Sequence, residues 1–267
     1  MTDRVTIRDL NSHEDYAACV ALQRETWGQH FNDTVPASIL LVSQKLGGVA
    51  AGAFDAGGRM LGFVYGMTGV EDGRIVHWSD MLAVRADAQN AGIGRRLKEY
   101  QRKAVAAVGG ELIYWTFDPL VARNAYLNFT VFGVRGVEYV RDMYGVNTGS
   151  DLHRGIGTDR LIVAWPVRDA DLRARRREIA GAAASPAKQI LVEVPPDIAA
   201  LMQTNPERAL QWRVSSRAGI EAAFAAGHRI DGVRIDAGRV FYIFTKPGGA
   251  GTTRRTRKPK PRRRRRQ

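Results

Sequence analysis

Hydrophobic and polar residues alternate in several short runs of this chain, and longer stretches between those runs have helical spacing. Residues 4–9 alternate as a half-buried strand does, and residues 12–27 place Tyr16, Val20 and Trp27 on one side of a predicted helix. The same patterns predict further strands over 48–54, 60–69, 75–84, 112–117, 134–143 and 161–167, and helices over 38–46, 93–108 and 120–132. The first part of the chain is therefore predicted to form a mixed α/β (α+β) fold.

A second, shorter set of elements follows residue 168. The pattern predicts a connecting helix over 169–183, a strand over 190–194, a helix over 206–226, and a hairpin of 233–235 with 240–244. We therefore expect a first domain over 1–168 and a smaller C-terminal α/β domain over 169–246.

The remaining residues, 247–267, are rich in Pro, Gly, Thr and basic side chains, and this composition predicts a disordered basic tail. Of the net charge of +13, ten units lie in residues 254–266, which leaves +3 for the rest of the chain. The folded part is thus only mildly basic. The tail is a candidate for weak contact with nucleic acid or an anionic surface, and a dispensable solvated extension is the alternative.

Several classes of protein are disfavoured by the composition. The single cysteine, Cys19, excludes an internal disulfide framework, and the five histidines are scattered without metal-ligand spacing. The N-terminus is charged, and no apolar run approaches the ~20 residues that a membrane helix needs. We therefore expect a cytoplasmic protein with no metal and no membrane span.

The loop before the third predicted helix carries the strongest sequence signal. It reads Q-N-A-G-I-G from Gln89 to Gly94, and Arg95 and Arg96 follow it. The first N–H groups of a helix have no intrahelical acceptor, and together with the helix dipole they attract an anion such as a pyrophosphate. No Gly-Lys-Ser/Thr follows, so this is not a Walker loop, and the spacing is a poor dinucleotide fingerprint.

The stretch M-L-A-V-R-A-D-A-Q-N-A-G-I-G-R-R-L-K (81–98) resembles the acyl-CoA motif of the GNAT superfamily of N-acetyltransferases. That motif has an apolar strand with L-x-V, a five-residue loop, and then Q/R-x-x-G-x-G/A with a leucine in the helix. The matching positions here are Leu82, Val84, Gln89, Gly92, Gly94 and Leu97. The element order over 4–167 also resembles the GNAT order, which implies a largely antiparallel central sheet flanked by helices.

The resemblance implies acetyl-CoA, or a close acyl-CoA relative, as co-substrate. Its phosphates would lie on backbone amides of Gln89–Arg95, and its pantetheine arm would pair with the backbone of Leu82–Val84. The implied contact residues are Leu82, Ala83, Val84, Gln89, Asn90, Ala91, Gly92, Ile93, Gly94 and Arg95. A bulge would splay this strand from Leu112–Phe117 to admit the acyl group. Asn124 and Asn128 are further candidates to contact CoA, and helix capping or plain surface exposure is their alternative role.

The proton donor that the resemblance implies is replaced in this sequence. Many GNAT enzymes have a tyrosine four residues before the glycine that ends the next helix, and here that position is Phe129, before Gly133. Phenylalanine cannot donate a proton, so Tyr126 is the candidate substitute. An aromatic side chain that only packs on the sheet is the alternative role for Tyr126.

Asp80 is the leading candidate for the base that deprotonates an amine, because it lies just before Met81–Val84 on the strand that would face the acyl group. A charge pair with a nearby arginine is its alternative role. His77 lies on the same strand and could be a satisfied structural histidine, and Glu71 and Asp72 are weaker candidates in a turn. A polar, glycine-rich segment over 147–160 could line the site, with acceptor selection by His153, Arg154 and Asp159, or it could be a solvated surface loop.

Together these features predict an N-acyltransferase that moves an acetyl or other acyl group from CoA to an amine. The acceptor could be a small molecule or a peptide, and a homodimer is possible. The alternative is a GNAT-like protein that binds acyl-CoA without catalysis and regulates a partner, which the phenylalanine at position 129 favours.

Overall fold

A computed structural model describes residues 5–145, 155–183 and 189–246 of the chain. These residues form a mixed α/β structure with a largely antiparallel sheet flanked by helices, so the predicted fold class is confirmed. The predicted disordered tail and the candidates His153 and Arg154 lie outside the described residues.

The strands are β1 (Thr6–Asp9), β2 (Val49–Phe54), β3 (Met60–Glu71), β4 (Arg74–Val84), β5 (Leu112–Phe117), β6 (Arg135–Val140), β7 (Arg160–Pro166), β8 (Ile190–Val194), β9 (Arg229–Asp236) and β10 (Arg239–Thr245). The α-helices are α1 (His13–Trp27), α2 (Ala37–Lys45), α3 (Ile93–Ala107), α4 (Ala122–Tyr126), α5 (Asp169–Ala183), α6 (Ile198–Thr204) and α7 (Pro206–Ala225). Most match the predicted elements within a few residues, but α6, which Asp197 caps at its N-terminus, was not predicted.

The central sheet has seven strands in the order β1-β2-β3-β4-β5-β7-β6. Strands β4 and β5 run parallel, and the other neighbours are antiparallel. A parallel neighbour needs a crossover connection, and α3 makes it between β4 and β5. The start of α3 therefore lies beyond the end of β4, close to this parallel pair.

Two hydrophobic clusters cover the two faces of this sheet. On one face, which we call the α1–α2 face, side chains of α1 and α2 pack on β2, β3 and β4, with Leu22, Leu40 and Phe63 fully buried. On the other, the α3 face, Leu97 and Ile113 belong to a larger cluster that continues into the C-terminal elements. Each strand is thus buried on both sides near the centre of the sheet.

The C-terminal elements form a three-stranded sheet in the order β8-β10-β9. Val192 of β8, Ile220 of α7 and Phe244 of β10 belong to the same buried cluster as the α3 face of the central sheet. Arg213 on α7 ties the two parts together, because it bonds to Asp118 after β5 at 2.6 Å and to the Ile156 carbonyl at 3.0 Å. The smaller unit therefore packs directly on the larger one.

The segment predicted as a single helix over 120–132 has two parts. Helix α4 covers Ala122–Tyr126, and a π-helix continues it over Leu127–Phe132. The wider turn ends at Gly133, whose φ of 72° is left-handed, where the Val134 N–H bonds to the Asn128 carbonyl at 3.2 Å. Such widened turns are often found at functional sites and are not visible in hydrophobic periodicity.

Candidate functional site

Strands β4 and β5 separate part-way along the sheet. Their paired positions run only from Val76 with Leu112 to Trp78 with Tyr114. Beyond that point β4 continues to Val84 and β5 continues to Phe117 without pairing. We call the space between Ser79–Val84 of β4 and Trp115–Phe117 of β5 the strand gap. Its edges carry backbone polar groups that the sheet does not use.

A bulge in β4 accompanies the separation. Tyr65 of β3 faces Met81, but the next position, Gly66, faces Ser79, so Asp80 has no partner in β3. Gly66 is needed here, since a Cβ would lie 2.3 Å from the His77 ring and 2.5 Å from the Trp78 carbonyl. A bulge bends its strand and re-aims side chains, and this one lies where the gap begins.

The bulge reverses which residues of β4 face each side. Before it, Ser79 faces α3, and after it Met81 packs in the cluster of the α1–α2 face. Asp80 lies between them and keeps an exposed surface. Protein atoms around the Asp80 carboxyl group partly remove it from water, and this desolvation raises its pKa. The negative charge of Asp33 in the α1–α2 connection raises that pKa further. Asp80 forms no ion pair with any described residue, so its predicted alternative as half of a salt bridge is not seen there.

The start of α3 has the properties of an anion site. Its N-cap is Gly92, with φ 75° and no capping side chain, and the first helical hydrogen bond joins the Arg96 N–H to the Gly92 carbonyl at 3.1 Å. The N–H groups of Ile93–Arg95 therefore have no intrahelical acceptor. A Cβ at Gly92 would meet nothing within 4 Å, so the space in front of this turn is open.

Arg95 adds a charge to that turn. It is exposed, and within the described part of the chain it takes part in no ion pair or side-chain hydrogen bond. Arg96, by contrast, bonds to the Val5 carbonyl at 2.7 Å. Arg95 is therefore the basic side chain at this helix start that is available to a phosphate.

Two polar side chains of the loop are engaged within the protein. Gln89 donates to the Val84 carbonyl at 3.1 Å, and Arg123 of α4 donates to the side chain of Asn90 at 2.8 Å. Asn90 has φ 65°, a left-handed conformation that asparagine tolerates. The predicted contact residues Gln89 and Asn90 thus hold the loop against β4 and α4, while Ala91 is exposed.

The predicted strand contacts lie along the gap. Leu82 and Val84 are partly buried on the α3 face, and a Cβ at Gly94 would lie 3.6 Å from Leu82 and 3.8 Å from Val84. Ala83 is buried on the opposite face, so only its backbone could meet a ligand in the gap. The gap and the open helix start therefore form one continuous edge, from β4 through Gly94.

The candidates on α4 and the π-helix differ in their surroundings. Asn124 and Tyr126 are exposed, with 44 % of the Tyr126 surface accessible. Asn128 is buried and accepts a hydrogen bond from the Trp115 indole at 3.2 Å. No hydrogen bond joins Tyr126 to Asp80 among the described residues, so the structure does not bring the two catalytic candidates into direct contact.

Phe129 is fully buried and faces away from the solvent. Its ring lies edge-on to Phe117 at 6.3 Å and to Tyr242 of β10 at 5.9 Å. This position therefore joins the π-helix to the C-terminal sheet, and it carries no proton donor.

His77 is a structural residue in this fold. It is fully buried, its Nδ1 lies 3.0 Å from the Thr68 hydroxyl, and the Gln101 amide lies 3.0 Å from its Nε2. Thr68 donates to the Gly47 carbonyl at 2.6 Å, which makes its oxygen the acceptor for Nδ1–H and leaves Nε2 to accept from Gln101. Burial and the charge of Lys98 lower the pKa of His77 to about 3, so it stays neutral near pH 7.

Lys98 is a residue at this site that sequence reasoning missed. It lies on α3, is 5 % exposed, and donates to the Ser79 hydroxyl at 2.7 Å. Its ammonium also lies 4.0 Å from the centre of the Trp115 ring, and Gln101 is 3.5 Å away. Burial lowers the pKa of Lys98 to about 7. The sequence feature that could have identified Lys98 is its position directly after Leu97, which places a charged residue on the side of the helix that faces the sheet.

Two of the remaining acidic candidates, Glu71 and Asp159, have structural partners. Glu71 accepts a hydrogen bond from Tyr114 at 2.8 Å. Asp159 is fully buried, with Arg217 of α7 at 2.7 Å and the Tyr139 hydroxyl at 2.5 Å. Burial alone would raise the pKa of Asp159, but the hydrogen bonds from Arg217 and Tyr139 hold it below its usual range. Asp159 thus anchors the C-terminal unit to β7.

No protein-family profile matches this chain, and no curated protein matches it either. Solved structures do resemble it. They include the ribosomal-protein-S18-alanine N-acetyltransferase from Escherichia coli, with 19% identity over 61% of this chain and 94% of that protein and a TM-score of 0.47. Another is an aminoglycoside 6'-N-acetyltransferase complexed with coenzyme A, with 17% identity over 62% of this chain and 97% of that protein and a TM-score of 0.45.

A third is an acetyltransferase of the GNAT family from Staphylococcus aureus, with 12% identity over 62% of this chain and all of that protein, 100%, and a TM-score of 0.44. These three solved structures are acetyltransferases.

Within residues 5–145, 155–183 and 189–246, no group of three or more His, Cys, Asp or Glu side chains is placed to hold a metal ion. Within the same ranges, no helix has the length and apolar character to cross a membrane.

Proposed function

We propose that this protein is an N-acyltransferase that moves an acetyl or other acyl group from CoA to an amine. The observation that carries the proposal is the strand gap beside the uncapped start of α3. The gap offers unpaired strand backbone to an extended arm with amide groups, and the helix start offers N–H groups and Arg95 to phosphates. The pantetheine arm of CoA is an extended chain with amide groups, which suits the strand gap. The pyrophosphate that follows it suits the N–H groups at the start of α3.

The proposed binding residues divide by the part of the ligand they would hold. The N–H groups of Gln89–Arg95 and the Arg95 side chain would hold the phosphates. The backbone of Leu82–Val84 would pair with the pantetheine arm, and Asn124 and Asn128 would flank it from α4 and the π-helix. A thioester bound in this way supplies an activated acyl carbon at the gap, and a backbone N–H of β4 would stabilise the charge that develops on the acyl oxygen.

Asp80 is the proposed base for the acceptor amine. It lies on the bulge at the start of the gap, it is accessible, and its pKa is raised, which brings it closer to the pH at which a carboxylate accepts a proton efficiently. Tyr126 remains the proposed donor to the leaving group, supported by its exposed position on α4. The acceptor is proposed to be a small-molecule or peptide amine that approaches from the side of Asp33 and Asp80, since two carboxylates favour a cationic acceptor.

Release of free thiol from acetyl-CoA, measured against a panel of amines and amino-terminal peptides, tests this function. We expect thiol release that saturates with at least one amine and falls by about a hundredfold or more in Asp80→Asn. Asp72→Asn is the matched control, because Asp72 lies in the distant β3–β4 turn with φ 47°, which asparagine tolerates. No thiol release above the uncatalysed rate with any amine would contradict the proposal.

A second candidate function is acyl-CoA binding without catalysis. It is favoured by Phe129, which is fully buried against Tyr242 and cannot supply a proton. The two functions share the same binding residues. Saturable binding of acetyl-CoA together with no thiol release would support this second function.

A further inference from the structure

Lys98 lies where β4 and β5 stop pairing. The last pair of positions is Trp78 with Tyr114, and Ser79 and Trp115 are the next residues of the two strands. The Lys98 ammonium touches both of them, at 2.7 Å from the Ser79 hydroxyl and 4.0 Å from the centre of the Trp115 ring. The cation therefore bridges the two strands at the closed end of the strand gap.

This cation has no anionic partner among the described residues. Its hydrogen bonds go to the neutral side chains of Ser79 and Gln101, and its other neighbour is an aromatic ring. A buried, uncompensated ammonium is costly, and a well-packed apolar side chain would be expected at a purely structural position. A buried cation at the edge of an open gap is placed to interact with an anion that forms beside it.

We propose that the Lys98 ammonium stabilises the negative charge on the sulfur of CoA when the acyl group leaves. This inference rests on the proposed acyltransferase function and adds a residue to it. Lys98 would donate a hydrogen bond to the sulfur as the carbon–nitrogen bond to the acceptor forms and the carbon–sulfur bond breaks. The electron pair of that bond stays on sulfur until Tyr126 protonates it, and the proton lost by the amine passes to Asp80, so no other reactant is needed.

The surroundings of Lys98 allow its protonation to depend on the charge of a ligand beside it. The groups that face Lys98 are Ser79, Trp115, Gln101 and the nearby His77. Among these four groups only His77 titrates, and its pKa of about 3 keeps it neutral near pH 7. Burial brings the pKa of Lys98 to about 7, so the ammonium and amine forms are similar in amount near neutral pH. A thiolate beside it would favour the ammonium form.

The test is an ultraviolet titration of the CoA thiol, recorded as the absorbance of the thiolate, with free CoA bound to the full-length protein. A cysteine thiol has a pKa of about 8.5, and free CoA titrated under the same conditions gives the reference value for its own thiol. For the wild-type complex we expect a value lower by about one unit or more, which gives about tenfold more thiolate at pH 7. In Lys98→Met we expect the bound thiol to return to the value of free CoA.

Two further variants make the result specific. Lys98→Gln keeps a polar contact to Ser79 without the charge, so it should behave as Lys98→Met does and serves if the apolar variant does not fold. Lys103→Met removes an exposed lysine from the same helix and should leave the titration unchanged. At pH 7, where free CoA is mostly in the thiol form, all variants should keep the affinity for CoA within about threefold, because the phosphates bind at residues 89–95.

The failure of this inference can be told apart from that of the proposed function. If CoA binds and its thiol titrates as it does in free solution, or titrates alike in wild type and Lys98→Met, the role of Lys98 is overturned and the CoA site stands. If CoA does not bind at all, both are overturned.

Discussion

The ring of Phe129 packs edge-on against the ring of Tyr242, with 5.9 Å between the ring centres. The contact joins the π-helix after α4 to the central strand of the C-terminal sheet, and the Tyr242 hydroxyl donates to the Pro119 carbonyl at 2.8 Å. Both side chains are fully buried. The position that the family resemblance assigns to a proton donor therefore holds the two parts of the protein together.

Loss of this contact should destabilise the whole chain. We expect Phe129→Ala to lower the free energy of unfolding by about 3–5 kcal/mol, since it removes a buried ring from a packed cluster. Tyr242→Phe should cost about 1 kcal/mol, because it leaves the buried Pro119 carbonyl without its donor. Urea unfolding followed by circular dichroism measures both. Val214→Ala, at a side chain that is 57 % exposed, is the control and should change stability by less than about 0.5 kcal/mol. An equal effect of Phe129→Ala and Val214→Ala would contradict the packing role.

Asp80 should appear in the dependence of the rate on pH. A base works only when it is deprotonated, and partial desolvation of the accessible Asp80 carboxyl group places its pKa above the ordinary 3.8. The protonated acceptor amine already gives log(kcat/KM) a slope of about one, so below the pKa of Asp80 the slope should steepen to about two. In Asp80→Asn the remaining activity should keep a slope of about one down to the lowest pH at which the protein stays folded. Identical profiles for wild type and Asp80→Asn would remove Asp80 as the base.

The buried Lys98 should make stability depend on pH in alkaline solution. Its folded pKa of about 7 lies below its ordinary 10.5, so between these values the unfolded chain binds more protons than the folded protein does. Stability must therefore rise with pH across that window, and the contribution is on the order of a few kcal/mol. The measurement is the difference in free energy of unfolding between Lys98→Met and wild type.

That difference should be largest, in favour of the variant, near pH 7 and below, and should shrink as pH approaches 10.5. Lys103→Met, at an exposed site on the same helix, should show no such trend. A constant difference across the window would mean that Lys98 titrates in the folded protein as it does in the unfolded chain.

The parts of the fold that were predictable carry local signals. The strand 190–194 and the helix 169–183 agree with the structure because hydrophobic runs, prolines and charged stretches mark their ends. The glycine loop was recognisable as a helix start because Gly92 and Gly94 leave no side chains there, and in the structure α3 begins at Ile93 with a left-handed, uncapped N-cap at Gly92. These features depend on neighbours in sequence.

What was not predictable depends on residues that are distant in sequence. The burial of Lys98 is caused by Trp115 and Ser79, which lie 17 and 19 positions away. The role of Phe129 depends on Tyr242 in the last strand, and no local pattern joins them. The π-helix over Leu127–Phe132 has the same hydrophobic composition as an α-helix, so the change in turn width was invisible.

The central claim is that the start of α3 and the strand gap bind acyl-CoA, and calorimetry with acetyl-CoA tests it most directly. The informative pair of variants is Arg95→Glu and Lys103→Glu, which make the same change of charge on exposed side chains at opposite ends of α3. We expect saturable binding to the wild type, weakened about tenfold or more by Arg95→Glu and less than about twofold by Lys103→Glu. Absence of saturable binding to the wild type, or equal weakening by the two substitutions, would contradict the account.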